Sequence, residues 1–509
     1  MGLFVKKSLE QLMATPEEGH GSLKRTLGAG SLIALGIGAI IGAGLFVRTA
    51  AAAGAHAGSA VTISFIIAAV GCAFAGLCYA EFASIIPIAG SAYTYAYATM
   101  GEIVAWIIGW ALVLEYALGA ATVSISWSEY ANKLLGGRIP FEWCHSPLEK
   151  AIDAAGVTHQ GVINLPALFI LFLLSALLIK GTQESATVNA IIVFVKVAIV
   201  LVFIAIGWQY INPAHHTPYL IPANAPNATL PDGTSYSYAP FFNHGWGGVL
   251  TGAGIVFFAF IGFDAVSTAA QEAKNPKRDM PIGILGSLVV CTVLYILFSW
   301  VLTGVAPYQD FMHAGKEASV AYAISTYMHG FGWLSTLVTI AILAGFSSVI
   351  LVMLLGQSRV FYTMSTDGLL PKVFSDLHPK FRTPYKSNMI LFIFVGLFAA
   401  FLPESIAGDL TSIGTLFAFV LVCIGVMLLR KTNPTMVRPF KTPLVPLVPI
   451  LGIIICLAMI ISLPLSTQLS ALAWLVIGLI IYFSYGTKNS KLGSAGDSLP
   501  IASDFEKLK

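Results

Sequence analysis

The stretch GIGAIIGAGLF (residues 36–46) decides how the chain is read, because four of its eleven residues are glycine inside the first strongly apolar segment. Each glycine in a helix interior costs roughly 1 kcal/mol relative to alanine. A segment hydrophobic enough to enter a membrane therefore spends roughly 4 kcal/mol on glycine. Two arrangements account for that: a neighbouring helix approaches closely here, or the helix is built to break.

The surrounding composition says what kind of protein holds this segment. Of 509 residues, 57% are hydrophobic and 10% are charged, with mean hydropathy +0.83. A water-soluble domain carries about 25% charged residues. This chain cannot cover a soluble surface of its size, and it reads as an all-α polytopic membrane protein in the lipid bilayer. Windows of about 20 apolar residues mark about twelve spans, near residues 28–54, 59–86, 97–131, 163–180, 187–210, 245–271, 282–305, 331–357, 387–403, 408–429, 446–463 and 470–486. No cleavable signal sequence is evident in residues 1–27.

An even number of spans returns both termini to one side, and the basic residues choose it. Twenty-one Lys and Arg fall on the side of the termini, and five (Arg48, Lys133, Arg138, Lys150 and Lys316) fall on the opposite side. The positive-inside bias predicts both termini in the cytoplasm, and the membrane expected is the cytoplasmic (plasma) membrane. Five cysteines lie in spans and Cys144 in a polar loop, so no disulfide framework is expected. His215 and His216 in the long loop lack a neighbouring Cys or carboxylate at ligand spacing and read as solvated; no metal or cofactor is expected. Lys133, Arg138, Glu142, Glu149, Lys150 and Asp153 read as a solvated loop surface, and the tail after residue 487 as disordered.

A second glycine-bearing interruption answers the first. Span six reads GGVLTGAGIVFFAFIGFDAV (247–266), with Asp264 inside an otherwise apolar run. Residues 28–210 and 245–429 each hold five spans. An odd number sends the second block into the membrane from the opposite side, which is the mark of an inverted repeat with a binding site at the breaks. The expected divisions are a head (1–27), a first repeat (28–210), a loop (211–244), a second repeat (245–429), spans eleven and twelve (430–487) and a tail (488–509). The glycine pattern also loosely matches a dinucleotide loop, but no strand precedes it and Gly58 stands where the ribose-binding acid belongs.

Four motifs carry a family resemblance. LGIGAIIGAGLFV (35–47) resembles the amino acid–polyamine–organocation superfamily. YAEFASIIPIAGSAYTYAYATMGE (79–102), FFAFIGFDAVSTAAQEAKNPKRDMPIGI (257–284) and GQSRVFYTMSTDGLLP (356–371) are similar to its cationic amino acid transporter branch. The resemblance implies a LeuT-like fold and a secondary transporter working by alternating access. The branch carries neutral and cationic amino acids. It departs from the branch at Gln271, where a second acid often precedes Glu272.

A break in a membrane helix frees N–H and C=O groups that need partners. A zwitterionic amino acid supplies them: its carboxylate suits the N–H groups opening a half-helix, and its ammonium suits freed carbonyls. The family pattern puts the carboxylate at Gly42, Ala43 and Gly44, and the ammonium at the carbonyls of Ile40, Phe258 and Ile261. Three ionisable groups lie within spans, and each is a functional candidate by its depth: Asp264 for the substrate site, Lys196 and Glu115 for proton coupling. The structural alternative is that they only lock helices together. In some relatives a lysine like Lys196 stands where sodium-coupled members bind a cation. Lys196 is expected to bond carbonyls freed in span one and the hydroxyls of Ser347 or Ser348, and to carry the coupled proton. The function expected is proton-coupled amino acid symport, with obligatory exchange of amino acids or polyamines as the alternative. No filter of like residues marks a channel, no soluble output domain a sensor, and no HExxH or GxSxG an enzyme. No nucleic acid partner is implied.

Overall fold

The computed structural model describes residues 4–7, 27–86, 91–153, 155–180, 186–264, 266–267, 273–313, 319–381 and 383–492. Most of the N-terminal head, Gln271, Glu272, Lys316 and the tail from residue 493 lie outside the described residues.

Within them the protein is almost wholly helical, and every apolar window of the sequence is a helix. Span one is divided, Ala29–Ile40 and then residues 44–57. Spans two to five are Val61–Ile85, Glu102–Leu134, Leu165–Lys180 and Ala186–Gly207. Span six begins at Gly245–Val256 and tightens into a 3-10 turn at Phe257–Phe260. Spans seven to twelve are Pro276–Val305, Gly332–Thr366, Tyr385–Phe401, Glu404–Thr432, Leu447–Ser462 and Leu465–Ile481. Exposed apolar side chains such as Phe169, Phe172, Phe194, Val289, Ile393, Leu472 and Ile480 clothe spans four, five, seven, nine and twelve. That surface suits a hydrocarbon solvent.

Boundaries differ from the apolar windows where local chemistry intervenes. Residues 97–99 belong to a separate helix, Ser91–Thr99, and span three starts only at Glu102. The divider is Gly101, whose φ of +98° only glycine adopts easily. Span eight runs past the expected end at 357 to Thr366, because its polar continuation is buried against neighbours at Gln357, Ser358 and Ser365.

Span three is the axis of the bundle, packed on spans eight and ten; span two packs on seven, and span nine on four. Both described ends of the chain meet at the start of span three. The Val5 carbonyl accepts from the Glu102 amide at 3.1 Å. Lys7 pairs with Asp367, which also accepts from Tyr93 at 2.7 Å and whose carbonyl takes the Lys491 amide at 3.2 Å. Glu102 accepts from Tyr97, Tyr482 and Ser490. The segment just after residue 487 is therefore tied to the bundle, contrary to the expected disorder. We call this the terminal face, and the opposite end the loop face.

At the loop face His215 and His216 are not simply solvated. Their ring nitrogens meet the Gly304 carbonyl at 2.9 Å and the Trp300 carbonyl at 3.3 Å, fastening the long loop to the end of span seven. In the preceding loop His159 bonds Glu142 at 2.8 Å. That bond holds the Glu142 carboxyl below, and the His159 imidazole above, their usual ranges.

Span twelve is fastened to span three by aromatic contacts. The indoles of Trp110 and Trp474 stack at 4.5 Å and each donates to the other's carbonyl, at 2.8 and 3.1 Å. Trp106 donates to the Gly478 carbonyl at 2.9 Å. A Cβ on Gly478 would overlap the Trp110 ring. Gly478→Val is expected to lower the melting temperature of the detergent-purified protein, the overpacking costing about 1–3 kcal/mol. Gly332→Ala, with nothing within 4 Å, is the control and should not shift it.

Candidate functional site

The α-helix of span one ends where the sequence predicts. Ile41 is extended (φ −72°, ψ 108°), and the chain re-enters a helix of π type at Gly44–Arg48. Gly42, Ala43 and Gly44 head that second half-helix, where the first N–H groups have no acceptor within the helix. In span six the 3-10 turn closes on an extended Ile261 (φ −61°, ψ 134°), and Gly262 follows at φ +114°. Both interruptions fall at mid-span, and both are closed to solvent: Ala43 is 1% exposed, Phe258 5% and Asp264 1%.

The two breaks press on each other. A Cβ on Gly44 would overlap the backbone of Ala259, and one on Gly262 would stand 2.9 Å from the Ala39 carbonyl oxygen. Each half-helix thus contributes one glycine to a crossing too tight for any side chain. The close approach expected of a substrate at Gly44 is made here by span six itself. Gly42 faces only a Val349 methyl, which would lie 3.1 Å from its Cβ.

The freed carbonyls have protein partners. Ile37 accepts from the Ile41 amide at 2.9 Å, and Phe258 from the Ile261 amide at 3.3 Å. The Tyr295 hydroxyl of span seven lies 3.0 Å from the Ile40 carbonyl oxygen and 2.9 Å from that of Ala259. One phenol therefore bridges the two breaks. Two of the three carbonyls expected to meet a substrate ammonium, Ile40 and Phe258, are occupied in this closed arrangement.

Lys196 reaches this centre from span five. It is 2% exposed, and its Nζ donates to the Gly38 carbonyl at 2.7 Å. Its stem lies across Gly345 of span eight, where a Cβ would stand 2.9 Å from the Lys196 Cε. The expected serine partners differ. Ser347 donates to the Leu343 carbonyl of its own helix at 2.9 Å, and the buried Ser348 hydroxyl bonds no described residue. Helical serines turn back on the preceding turn in this way when no better acceptor is in reach.

Asp264 accepts from the Tyr116 hydroxyl at 3.0 Å, and Glu115, one position before Tyr116 on span three, lies near enough to Asp264 for the two charges to be felt. The two candidate acids thus share one neighbourhood between spans three, six and ten. Two carboxyls cannot pair as opposite charges, so a mutual ion pair is not what joins them.

Arg48 was missed by the charge count, which puts it in a loop. It is 1% exposed within the second half of span one, and it pairs with Asp409 and, at 3.4 Å, Glu404 of span ten. A Cβ on Gly408 would stand 2.9 Å from the Arg48 Cζ. The usable signal was ESIAGD (404–409), two acids at the mouth of an apolar run with few basic residues on that side.

Comparison with known proteins bears on this arrangement as a whole. Residues 27–485 match the amino acid permease family. The chain is 44% identical to a branched-chain amino acid permease (BcaP) of Bacillus subtilis, over 96% of this chain and 99% of that protein. A methylthioribose transporter of the same organism is 41% identical over 96% and 99%. A vacuolar cationic amino acid transporter of Arabidopsis thaliana is 33% identical over 85% and 68%.

The crossing makes a graded prediction. Gly44→Ala and Gly262→Ala should both depress folded yield in fluorescence-detected size exclusion, since the neighbouring atoms are backbone. Gly42→Ala should fold near the wild-type level, because the Val349 side chain can give way. Equal yields from all three would mean the crossing is looser than described.

Proposed function

The chain belongs to the amino acid permease family, and from that premise we propose that it imports amino acids by proton-coupled symport. As an amino acid transporter it is an integral membrane protein and not an enzyme. In the proposed orientation both termini are cytoplasmic and the loop face is extracellular, as the basic residues favour. Alternating access would rock one five-span repeat against the other. The full-length similarity to a branched-chain amino acid permease makes aliphatic neutral amino acids the first substrates to test. Cationic amino acids come second.

The observation that carries the coupling is the buried Lys196 ammonium on the Gly38 carbonyl. An ammonium at that depth is costly unless it has such a partner. Its contact is with the half-helix that must shift when span one moves. Protonated, it holds the interrupted end of span one against span five; deprotonated, it loses the charge that makes the bond strong. The protonation state then biases which arrangement of span one is favoured. When the crossing opens, the substrate carboxylate would meet the N–H groups of Gly42, Ala43 and Gly44. Its ammonium would meet the carbonyls of Ile40, Phe258 and Ile261, with Tyr295 yielding at Ile40 and Asp264 adding charge nearby.

Uptake of labelled leucine, isoleucine, valine and arginine into proteoliposomes, with and without an imposed inward proton gradient, tests the reading. Wild type should accumulate substrate only with the gradient. Lys196→Ala should lose that accumulation, at least tenfold, while keeping some counterflow. A wild type indifferent to the gradient would instead make the protein an exchanger. Asp264→Asn should weaken arginine more than leucine; equal losses would assign Asp264 to structure alone.

A further inference from the structure

Span three carries a second face that the breaks do not use. Glu115, Gly119, Thr122, Ser126 and Glu129 recur at intervals of four, three, four and three, which sets them in one stripe about 21 Å long. The stripe is buried throughout: Glu115 is 1% exposed, Thr122 and Ser126 0%, and Glu129 8%. Span ten answers it with Glu404, Gly408, Thr411 and Thr415, spaced by four, three and four. The two helices pack on each other and touch at Gly119 and Thr411, while Glu404 and Gly408 face Arg48 of span one. A Cβ on Gly414 would stand 3.4 Å from the Ala111 carbonyl oxygen, and one on Gly119 would stand 3.6 Å from the Thr411 methyl.

Most hydroxyls of this seam spend their proton on their own helix. Thr122 donates to Leu118 at 2.7 Å, Ser126 to Thr122 at 3.1 Å, and Thr415 to Thr411 at 3.0 Å. The acids differ. Neither carboxyl oxygen of Glu129 bonds any described residue, and the same holds for Oε1 of Glu115 and the hydroxyl of Ser412. A buried carboxyl without a protein partner is expensive, and folded proteins serve such groups with internal water. Other charged groups lie toward the loop-face ends of spans one, three and ten. Arg48 of span one and Glu404 and Asp409 of span ten form one ion-paired group, and Lys133 lies one turn further along span three. The Cys144 thiol of the following loop donates to the Ile139 carbonyl at 4.0 Å.

We propose that the seam between spans three and ten is a hydrated proton path from the loop face, with Glu129 as its outer acid and Glu115 as its inner one beside Asp264. The proposal rests on the proton-coupled reading above. Glu129 takes a proton from water at the loop face and passes it along bound water and the lone pairs of Thr122 and Ser126 to the Glu115 carboxylate. No bond other than O–H forms or breaks. The apolar alternative, in which the hydroxyls only let two helices approach, leaves Glu129 without a role.

Two measurements on the full chain separate the possibilities. In proteoliposomes, Glu129→Gln should slow gradient-driven leucine uptake at least tenfold while counterflow changes less than twofold. Should that variant fail to fold by size exclusion, Thr122→Val reads the same path and should slow uptake about threefold or more. Independently of transport, radiolytic hydroxyl-radical footprinting should oxidise Met353, whose sulfur would lie 3.6 Å from a Cβ on Gly119. A protected Met353, or full-rate uptake in both variants of a wild type that responds to the gradient, overturns the path alone. A wild type that ignores the gradient overturns the coupling, and the path with it.

Discussion

The rest of the structure depends on the crossing of two interrupted backbones, Gly44 on Ala259 and Gly262 on Ala39. In hydrocarbon the association of helices has no help from the hydrophobic effect, and close van der Waals approach replaces it. Interrupted backbone at this depth is tolerated only where its polar groups are served by protein, water or ligand. Here spans five and seven do part of that work, through Lys196 on Gly38 and Tyr295 on Ile40 and Ala259. The helices around the breaks are thereby assigned distinct tasks: spans one and six supply the backbone, and spans five and seven supply the donors.

The buried charges sort by what they hold. Arg48 joins the second half of span one to span ten near the loop face, whereas Lys7 and Glu102 gather the first and last described segments at the terminal face. Breaking a buried pair by removing one partner strands the other charge, at a cost of about 3–5 kcal/mol. Such contacts are stable as long as they are complete, and they resist partial loosening. Lys196 differs because its partner is a carbonyl rather than an acid. A neutral amine there still donates to the Gly38 carbonyl, only more weakly.

Much of this was legible in the sequence, for definite reasons. Span positions follow from the thickness of hydrocarbon, which demands a countable run of apolar residues. The breaks were legible because glycine is costly in a helix, so its concentration at 36–44 and near 262 has to serve something. Arg48 was not, because one basic residue beside a run of alanines looks like a boundary until its acids on span ten, more than 350 positions away, are brought to it. Tyr295 was equally silent: a tyrosine in an apolar run is ordinary until two carbonyls converge on its hydroxyl. The serines at 347 and 348 failed differently. The Ser347 hydroxyl is taken by its own helix at the Leu343 carbonyl, and the Ser348 hydroxyl bonds no described residue.

The Tyr295 phenol has two carbonyl oxygens within reach and a single hydrogen to offer. At any instant one of the two helices is clasped and the other is merely nearby. Turning the O–H bond would move the clasp from one helix to the other without displacing a heavy atom. Phenylalanine in its place would keep the ring and the packing but would release both carbonyls together, ending the choice.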